Sequence, residues 1–192
     1  APVPSAPMST ALTAFPADGY TARWQTWEGD GDETLTLRWE NEGWTAVGEV
    51  GRERISYVIR LSPLWDVRQF LLFRDQDDPD LWLGTDGAGR WGEINGAHRT
   101  ELDGCTDVDL HVTPFTATIP IRRLQLEVGH AAEVKAATID VDTLGVVPVD
   151  LRYEHVAPQQ FRRVHLKTGI DAEFAVDQYG LVHDEPDHFR RL

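Results

Sequence analysis

Short runs of alternating apolar and polar residues, separated by turn signals, constrain this chain more than any other feature. In residues 55–61 every second residue is large and apolar, and residues 35–39 and 44–50 alternate in the same way. Gly-containing turn signals lie between these runs, at 41–43 and at 51–53. A period of two puts the apolar side chains on one face of a strand, and a spacing of about 10 residues is typical of a meander or barrel. The sequence therefore predicts a mainly β protein of about a dozen or more strands.

The stretch 103–124 divides the chain into two strand-rich halves. Its first part alternates: Asp107, Asp109 and His111 fall on one side, and the residues between them are apolar. This pattern predicts a strand with one solvated face and one buried face. Two carboxylates and an imidazole at this spacing can also hold a divalent metal. We favour the solvated face, or an acidic row paired with Arg122 and Arg123, and predict no metal site here.

The same stretch contains the best helix candidate, within residues 114–124. Thr113 can cap a helix, and Pro114 suits a first helical position. Apolar residues then recur at roughly helical spacing, and Arg122 and Arg123 stand where a helix C-terminus favours cations. Pro120 would break a helix that begins at Pro114, unless Thr118 is a second cap and the helix consists of two short pieces.

Composition places the chain among soluble single-domain proteins. A length of 192 residues allows one domain in which about 70% of the unfolded surface becomes buried. Residues 1–19 are rich in Pro, Ala and Ser and predict a flexible arm that docks through Leu12 and Phe15, while residues 20–192 predict one β domain. The net charge of −14 argues against nucleic acid and anionic membranes as partners.

Several further features bear on location and chemistry. No segment approaches the roughly 20 apolar residues of a membrane span, and the first residues lack the pattern of a signal peptide, so we expect a cytoplasmic protein. The single cysteine, Cys105, excludes an intramolecular disulfide and is expected to be a small buried apolar residue. The acidic run 75–80 departs from the calcium-binding loop pattern and is expected to be a surface turn. The sequence also lacks the common motifs of nucleophilic and nucleotide-binding sites. We predict no catalytic residues and no cofactor.

Several motifs resemble one bacterial family. They are DGCTDVDLHVTPFTATIPIRRL in the centre, and RLSPLWDVRQF, LWLGTDGAGRWGEING and AVDQYGLVHDEPDHFRRL elsewhere. Together they are similar to the family called putative glycolipid-binding, over roughly residues 20–192. The resemblance implies a spiral β-roll, in which a long meandering antiparallel sheet wraps around a single helix. It also implies a homodimer.

Tryptophan and arginine residues supply the candidate binding site. Indole rings stack on sugars and line lipid cavities, and arginine beside apolar surface suits a headgroup at a pocket mouth. The predicted ligand-binding residues are Trp44, Arg60, Trp65, Trp82, Arg90, Trp91, Phe115 and Arg122.

These residues favour a non-enzymatic carrier for a glycolipid or another acylated ligand, held in an apolar cavity between the curved sheet and the helix. Two alternatives remain open. The protein could be an enzyme that acts on a lipid or sugar ester, centred on Asp107, Asp109 and His111. It could also be a structural dimer with a filled core and no ligand.

Overall fold

A computed structural model describes residues 11–75 and 77–192 and contains a single sheet. The sheet has fourteen strands: β1 Tyr20–Thr26, β2 Asp32–Glu40, β3 Gly43–Val50, β4 Ile55–Leu61, β5 Val67–Arg74, β6 Leu81–Thr85, β7 Trp91–Gly92, β8 Asp107–Leu110, β9 Ala131–Ile139, β10 Val146–Ala157, β11 Gln160–His165, β12 Asp171–Val176, β13 Val182–Glu185 and β14 Phe189–Arg191.

The sheet consists of two meanders joined edge to edge. Strands β1–β7 follow one another in space, as do β8–β14, and β1 pairs with β14 to make one continuous sheet. All neighbouring strands are antiparallel except β8 and β9. The sheet is open and curled, so the predicted spiral β-roll is confirmed.

The alternation seen in the sequence becomes the inner and outer faces of this roll. Every second residue of β4 is buried, beginning at Ile55, and β2 buries Glu33, Leu35 and Leu37. The turn between β2 and β3 has positive φ at both Asn41 and Glu42, the conformation of a two-residue hairpin turn whose twist matches that of the strands.

One helical segment fills the roll. It begins with a 3₁₀ turn at Phe115–Ala117 and continues as α1, Thr118–Leu124. The hydroxyl of Thr113 accepts a hydrogen bond from the Phe115 N–H (3.1 Å), whereas Thr118 donates to the Gly180 carbonyl (2.8 Å) and caps nothing. Pro120 falls in the first turn of α1, where it is tolerated.

This segment also explains the one parallel pair of strands. Parallel neighbours need a crossover connection, and the chain between β8 and β9 supplies it as the helix. The helix separates two apolar clusters. Phe115 and Ile119 face the larger cluster, formed mainly by β1–β8, and Ala117 and Ile121 face the smaller one, formed by β9–β13.

The prediction that one face of β8 is solvated is wrong. All four residues of the strand are buried, including Asp107 (2% exposed) and Asp109 (7% exposed). An alternating pattern indicates one wet face only when one side of the sheet is open. Here β8 lies inside the roll with the helical segment packed close by, so both of its faces are covered.

Residues 11–19 lie against the roll. Phe15 is 5% exposed and stacks on Tyr179, with ring centroids 4.9 Å apart, and Leu12 packs against the smaller apolar cluster. The backbone N–H of Thr13 donates to the Gln178 carbonyl (2.8 Å). The remainder of the predicted arm, residues 1–10, lies outside the described residues.

Candidate functional site

Four of the eight predicted ligand-binding residues lie close together. Trp44, Trp65 and Phe115 belong to one buried aromatic cluster, in which the Trp44 and Trp65 rings stack 6.3 Å apart and Phe115 meets Trp65 edge-on. The guanidinium carbon of Arg122 lies 4.9 Å from the Trp65 ring and 4.7 Å from the Phe15 ring. The α1 helix therefore holds a cation against the aromatic end of the larger cluster.

The other four lie elsewhere. Trp91 is 1% exposed, and its indole N–H donates to the Cys105 carbonyl (3.0 Å). Trp82 is half-buried on β6, Arg60 donates to the side chains of Thr45 and Glu40, and Arg90 is exposed. These four residues line neither the cavity at the C-terminal end of α1 nor the one beside Glu33. Their predicted contact with a ligand stays a prediction.

A cavity of about 740 Å³ opens at the C-terminal end of α1, and we call it the helix-end cavity. Its walls come from residues 11–13, from the end of α1 and the residues after it, and from β10–β12 with their connections. The lining includes Leu12, Ile121, Arg122, Leu126, His155 and Phe161.

Two polar atoms in the wall of this cavity have no hydrogen-bond partner among the described residues. One is Nε of Arg122, although the same guanidinium donates through Nη1 to the carbonyls of Thr13 and Tyr179. The other is Nε2 of His155, a residue that is 4% exposed. The Nδ1 atom of His155 lies 2.7 Å from the Leu126 carbonyl, which can only accept. Nδ1 therefore carries a proton, and in the neutral tautomer that this bond selects Nε2 is the acceptor.

A second cavity, of about 260 Å³, lies among three turns and Val112, and we call it the Glu33 cavity. The turns join β1 to β2, β3 to β4, and β13 to β14. Its lining includes Trp24, Trp27, Arg52, His111 and Glu33. The cavity thus combines indole rings, charged side chains and a buried carboxyl group.

Glu33 is the most unusual group of this second cavity. Its Oε1 accepts hydrogen bonds from the hydroxyls of Tyr57 (2.6 Å) and Thr113 (2.7 Å), while its buried Oε2 has no partner among the described residues. Burial raises the pKa of Glu33 from 4.5 to about 7, against the opposing effect of these two hydrogen bonds. A carboxyl group in this state can change its charge near neutral pH.

The Glu33 arrangement requires close backbone packing. A Cβ atom added to Gly48 would lie 2.1 Å from the Tyr57 ring, so the phenol occupies the space that a side chain would take. Gly48 pairs with Tyr57 across β3 and β4. Glycine at this position therefore allows the Tyr57 hydroxyl to reach Glu33.

Asp107, Asp109 and His111 do not form one site. Asp107 makes a two-pronged ion pair with Arg123, with both N–O distances 2.6 Å, whereas Arg122 takes no part. Asp109 accepts from Thr116 (3.3 Å) and lies 3.3 Å from Nε2 of the exposed His111. Burial acts to raise the pKa of Asp109, but the His111 hydrogen bond and the charge of Arg163 outweigh it and lower that pKa. The described residues contain no group of three or more ligating side chains suited to a metal.

Sequence reasoning missed Glu33 and His155, although one signal was present. Glu33 stands two residues before Leu35 and four before Leu37, so the alternation places a carboxyl group on the buried face of β2. An acidic residue in phase with an apolar face needs a partner inside the protein. His155 likewise follows Leu151 and Tyr153 at intervals of two, so the same alternation places its ring on the buried face of β10.

Comparisons with known proteins agree with this architecture. Residues 21–191 match the model of a family described as putative glycolipid-binding. The chain is also similar to a DUF1089 family protein from Pseudomonas aeruginosa, known from a crystal structure, with 26% sequence identity and a TM-score of 0.69. The similarity covers 98% of this chain and 100% of that one. No curated protein matches the chain. Within the described residues, none of the helices has the length and apolar character needed to cross a bilayer.

Proposed function

The chain belongs to the family described as putative glycolipid-binding, and we propose that it binds an acylated amphipathic ligand, of the glycolipid class, in the helix-end cavity. The observation that carries the proposal is the cavity itself, about 740 Å³ in volume, whose wall combines apolar side chains with Arg122 and His155. A ligand with both polar and apolar parts is the kind of molecule that such a wall can hold.

The size of the cavity supports a small-molecule ligand. Its volume of about 740 Å³ lies within the range of about 300–1,000 Å³ that is usual for such sites. Leu12, Ile121, Leu126 and Phe161 supply apolar surface for a hydrocarbon chain. Each methylene buried there would contribute about 0.8 kcal/mol.

The polar atoms support a hydroxylated headgroup. Arg122 has an unpartnered N–H donor at Nε, and His155 has an unpartnered Nε2; both atoms are buried just behind the cavity wall, so a headgroup would reach them once these side chains shift. A sugar hydroxyl both donates and accepts, so a headgroup with several hydroxyls can satisfy both atoms. Arg122 lines this cavity, and its guanidinium also contacts the rings of Phe15 and Trp65 in the buried aromatic cluster. Trp65 therefore lies close enough to a ligand contact to report binding.

The test uses delipidated protein and three probes: an alkyl maltoside below its micelle concentration, dodecanoate, and maltose. We expect saturable binding of the two probes that have a hydrocarbon chain, a change in tryptophan emission and a rise in melting temperature with probe concentration. Maltose alone should give little response.

Two variants locate the site. Leu126→Trp fills the cavity and should weaken binding of the maltoside about tenfold or more. Val128→Trp is the matched control, because Val128 is 40% exposed and lies two residues further along the same connection, outside the cavity lining. Absence of saturation would favour a structural protein without a ligand, and equal binding by both variants would place the ligand outside the helix-end cavity.

A homodimer and a cytoplasmic location complete the proposal. Strand β8 lies inside the roll, so the edge that a partner chain could pair with or cover is the outer one, where the two-residue β7 covers only part of β6. We expect light scattering at micromolar concentration to give twice the mass of the chain. A monomer mass would contradict this expectation. Cell fractionation tests the location.

A further inference from the structure

The Glu33 cavity has a chemical character different from that of the helix-end cavity. We propose that it is a second ligand site, which takes a small organic ammonium ion and neutralises it with the Glu33 carboxylate. This inference does not depend on the proposed glycolipid-class ligand, because the two cavities share no lining residue.

The unpartnered oxygen of Glu33 is the first argument. The side chain is 4% exposed, and its two hydrogen-bond donors, Tyr57 and Thr113, are neutral and both bind Oε1. A buried carboxylate without a cation is costly, and Oε2 has no donor among the described residues. An ammonium group supplies a positive charge and N–H donors together, so it meets both needs.

The charge of the walls is the second argument. The other carboxylates that line the cavity are Glu28, Asp32, Glu53 and Asp187. The cation of the lining, Arg52, is already paired with Asp30 (3.1 Å) and lies 3.9 Å from Glu53. The two histidines of the lining are His111, which pairs with Asp109, and His188. Outside the lining, Arg23 pairs with Asp32 (3.3 Å) and Arg190 lies over Trp27. The five lining carboxylates still outnumber these cations and Arg52, and the resulting field attracts a positive ligand.

The apolar part of the lining is the third argument, and it favours an organic cation. Indole rings attract cations, and Trp27 already carries the guanidinium of Arg190 at 4.2 Å from its ring centroid. Val50 and Val112 also line the cavity and can contact a short alkyl group. The volume of about 260 Å³ limits the ligand to a few heavy atoms.

Three probes of similar size and different charge test the proposal: n-propylammonium, n-propanol and propanoate. Calorimetric titration should show saturable binding of propylammonium and none of the other two. Because Glu33 has a pKa of about 7, binding near neutral pH should release protons, measurable from the heats in two buffers of different ionisation enthalpy. Affinity should rise up to about tenfold per pH unit on approaching pH 7 from below, and then level off.

Glu33→Gln keeps an oxygen for Tyr57 and Thr113 but removes the charge. It should weaken propylammonium binding about tenfold or more at about pH 8. The variant also keeps His111 and His188. The difference between its pH profile of propylammonium affinity and that of the unmodified protein therefore isolates the contribution of Glu33. Glu49→Gln is the matched control, because it removes an exposed carboxylate of β3 that lies outside the cavity lining and should leave both the affinity and its pH profile unchanged.

Three results would overturn the proposal. They are the absence of propylammonium saturation in the unmodified protein, equal binding of propanol, which would indicate a site for hydroxyl groups, and unchanged binding by Glu33→Gln. Since the first two are measured on the unmodified protein, a variant that fails to fold leaves the proposal testable.

Discussion

Replacing Glu33 by Gln should change how the stability of the protein depends on pH. The folded state raises the pKa of this carboxyl from 4.5 to about 7. Below about pH 4.5 the group is protonated in both the folded and the unfolded states and has no differential effect. Between pH 4.5 and about pH 7, Glu33 is ionised more in the unfolded chain than in the folded protein. The free energy of unfolding therefore falls as the pH rises through this range.

The size of the effect follows from the pKa difference. At about 1.4 kcal/mol per pKa unit, the buried carboxyl costs about 3 kcal/mol once the pH exceeds 7. Glu33 is 4% exposed, so solvent screens the charge little. Gln cannot ionise, and its carbonyl oxygen can still accept from Tyr57 and Thr113.

Urea unfolding at a series of pH values from about 4 to 8 measures the prediction. The stability of Glu33→Gln relative to the unmodified protein should increase by about 3 kcal/mol across this range, with most of the change between pH 4.5 and 7. Glu53→Gln, at the exposed rim of the same cavity, should show almost no such change. A stability difference for Glu33→Gln that stays constant with pH would refute the reasoning.

Two further substitutions test the packing of charged and aromatic groups. Arg123→Met leaves the Asp107 carboxylate buried without its cation and should cost about 3–5 kcal/mol in urea unfolding, and a second change, Asp107→Asn, should recover part of that loss. Gly48→Ala would drive the Tyr57 ring away from Glu33 and should cost about 1–3 kcal/mol, whereas a cost near zero would mean that the ring moves freely.

The fold was largely predictable because its elements carry local signals. The alternation in β2 and β4 marked the strands, and Thr113, Pro114 and the apolar spacing marked the helical segment. The spiral arrangement came from the resemblance of the motifs. The pairing of Trp24 with Arg191 could not be predicted, because no local pattern links residues at opposite ends of the described chain.

The candidate site was less predictable, for two physical reasons. An alternating strand shows which residues share a face but not whether that face is covered, so Asp107 and Asp109 were assigned to solvent although both are buried. Cavities arise where separate turns meet, and the Glu33 cavity needs three turns from distant parts of the sequence. Indole chemistry suits a binding site as well as a core, yet Trp91 is a core residue with its N–H bonded to the Cys105 carbonyl.

The position of β14 in the middle of the sheet governs how the protein can fold during synthesis. A ribosome delivers β1–β7 first and β8–β13 later, and each meander can pair internally as it emerges. The strand that joins them, Phe189–Arg191, is translated after all the others. Until it leaves the exit tunnel, β1 and β13 each present an unpaired edge. The edge of β13 is open only briefly, whereas the edge of β1 stays open from its own synthesis until β14 has been made, and cellular factors that shield such edges can act on it throughout that interval.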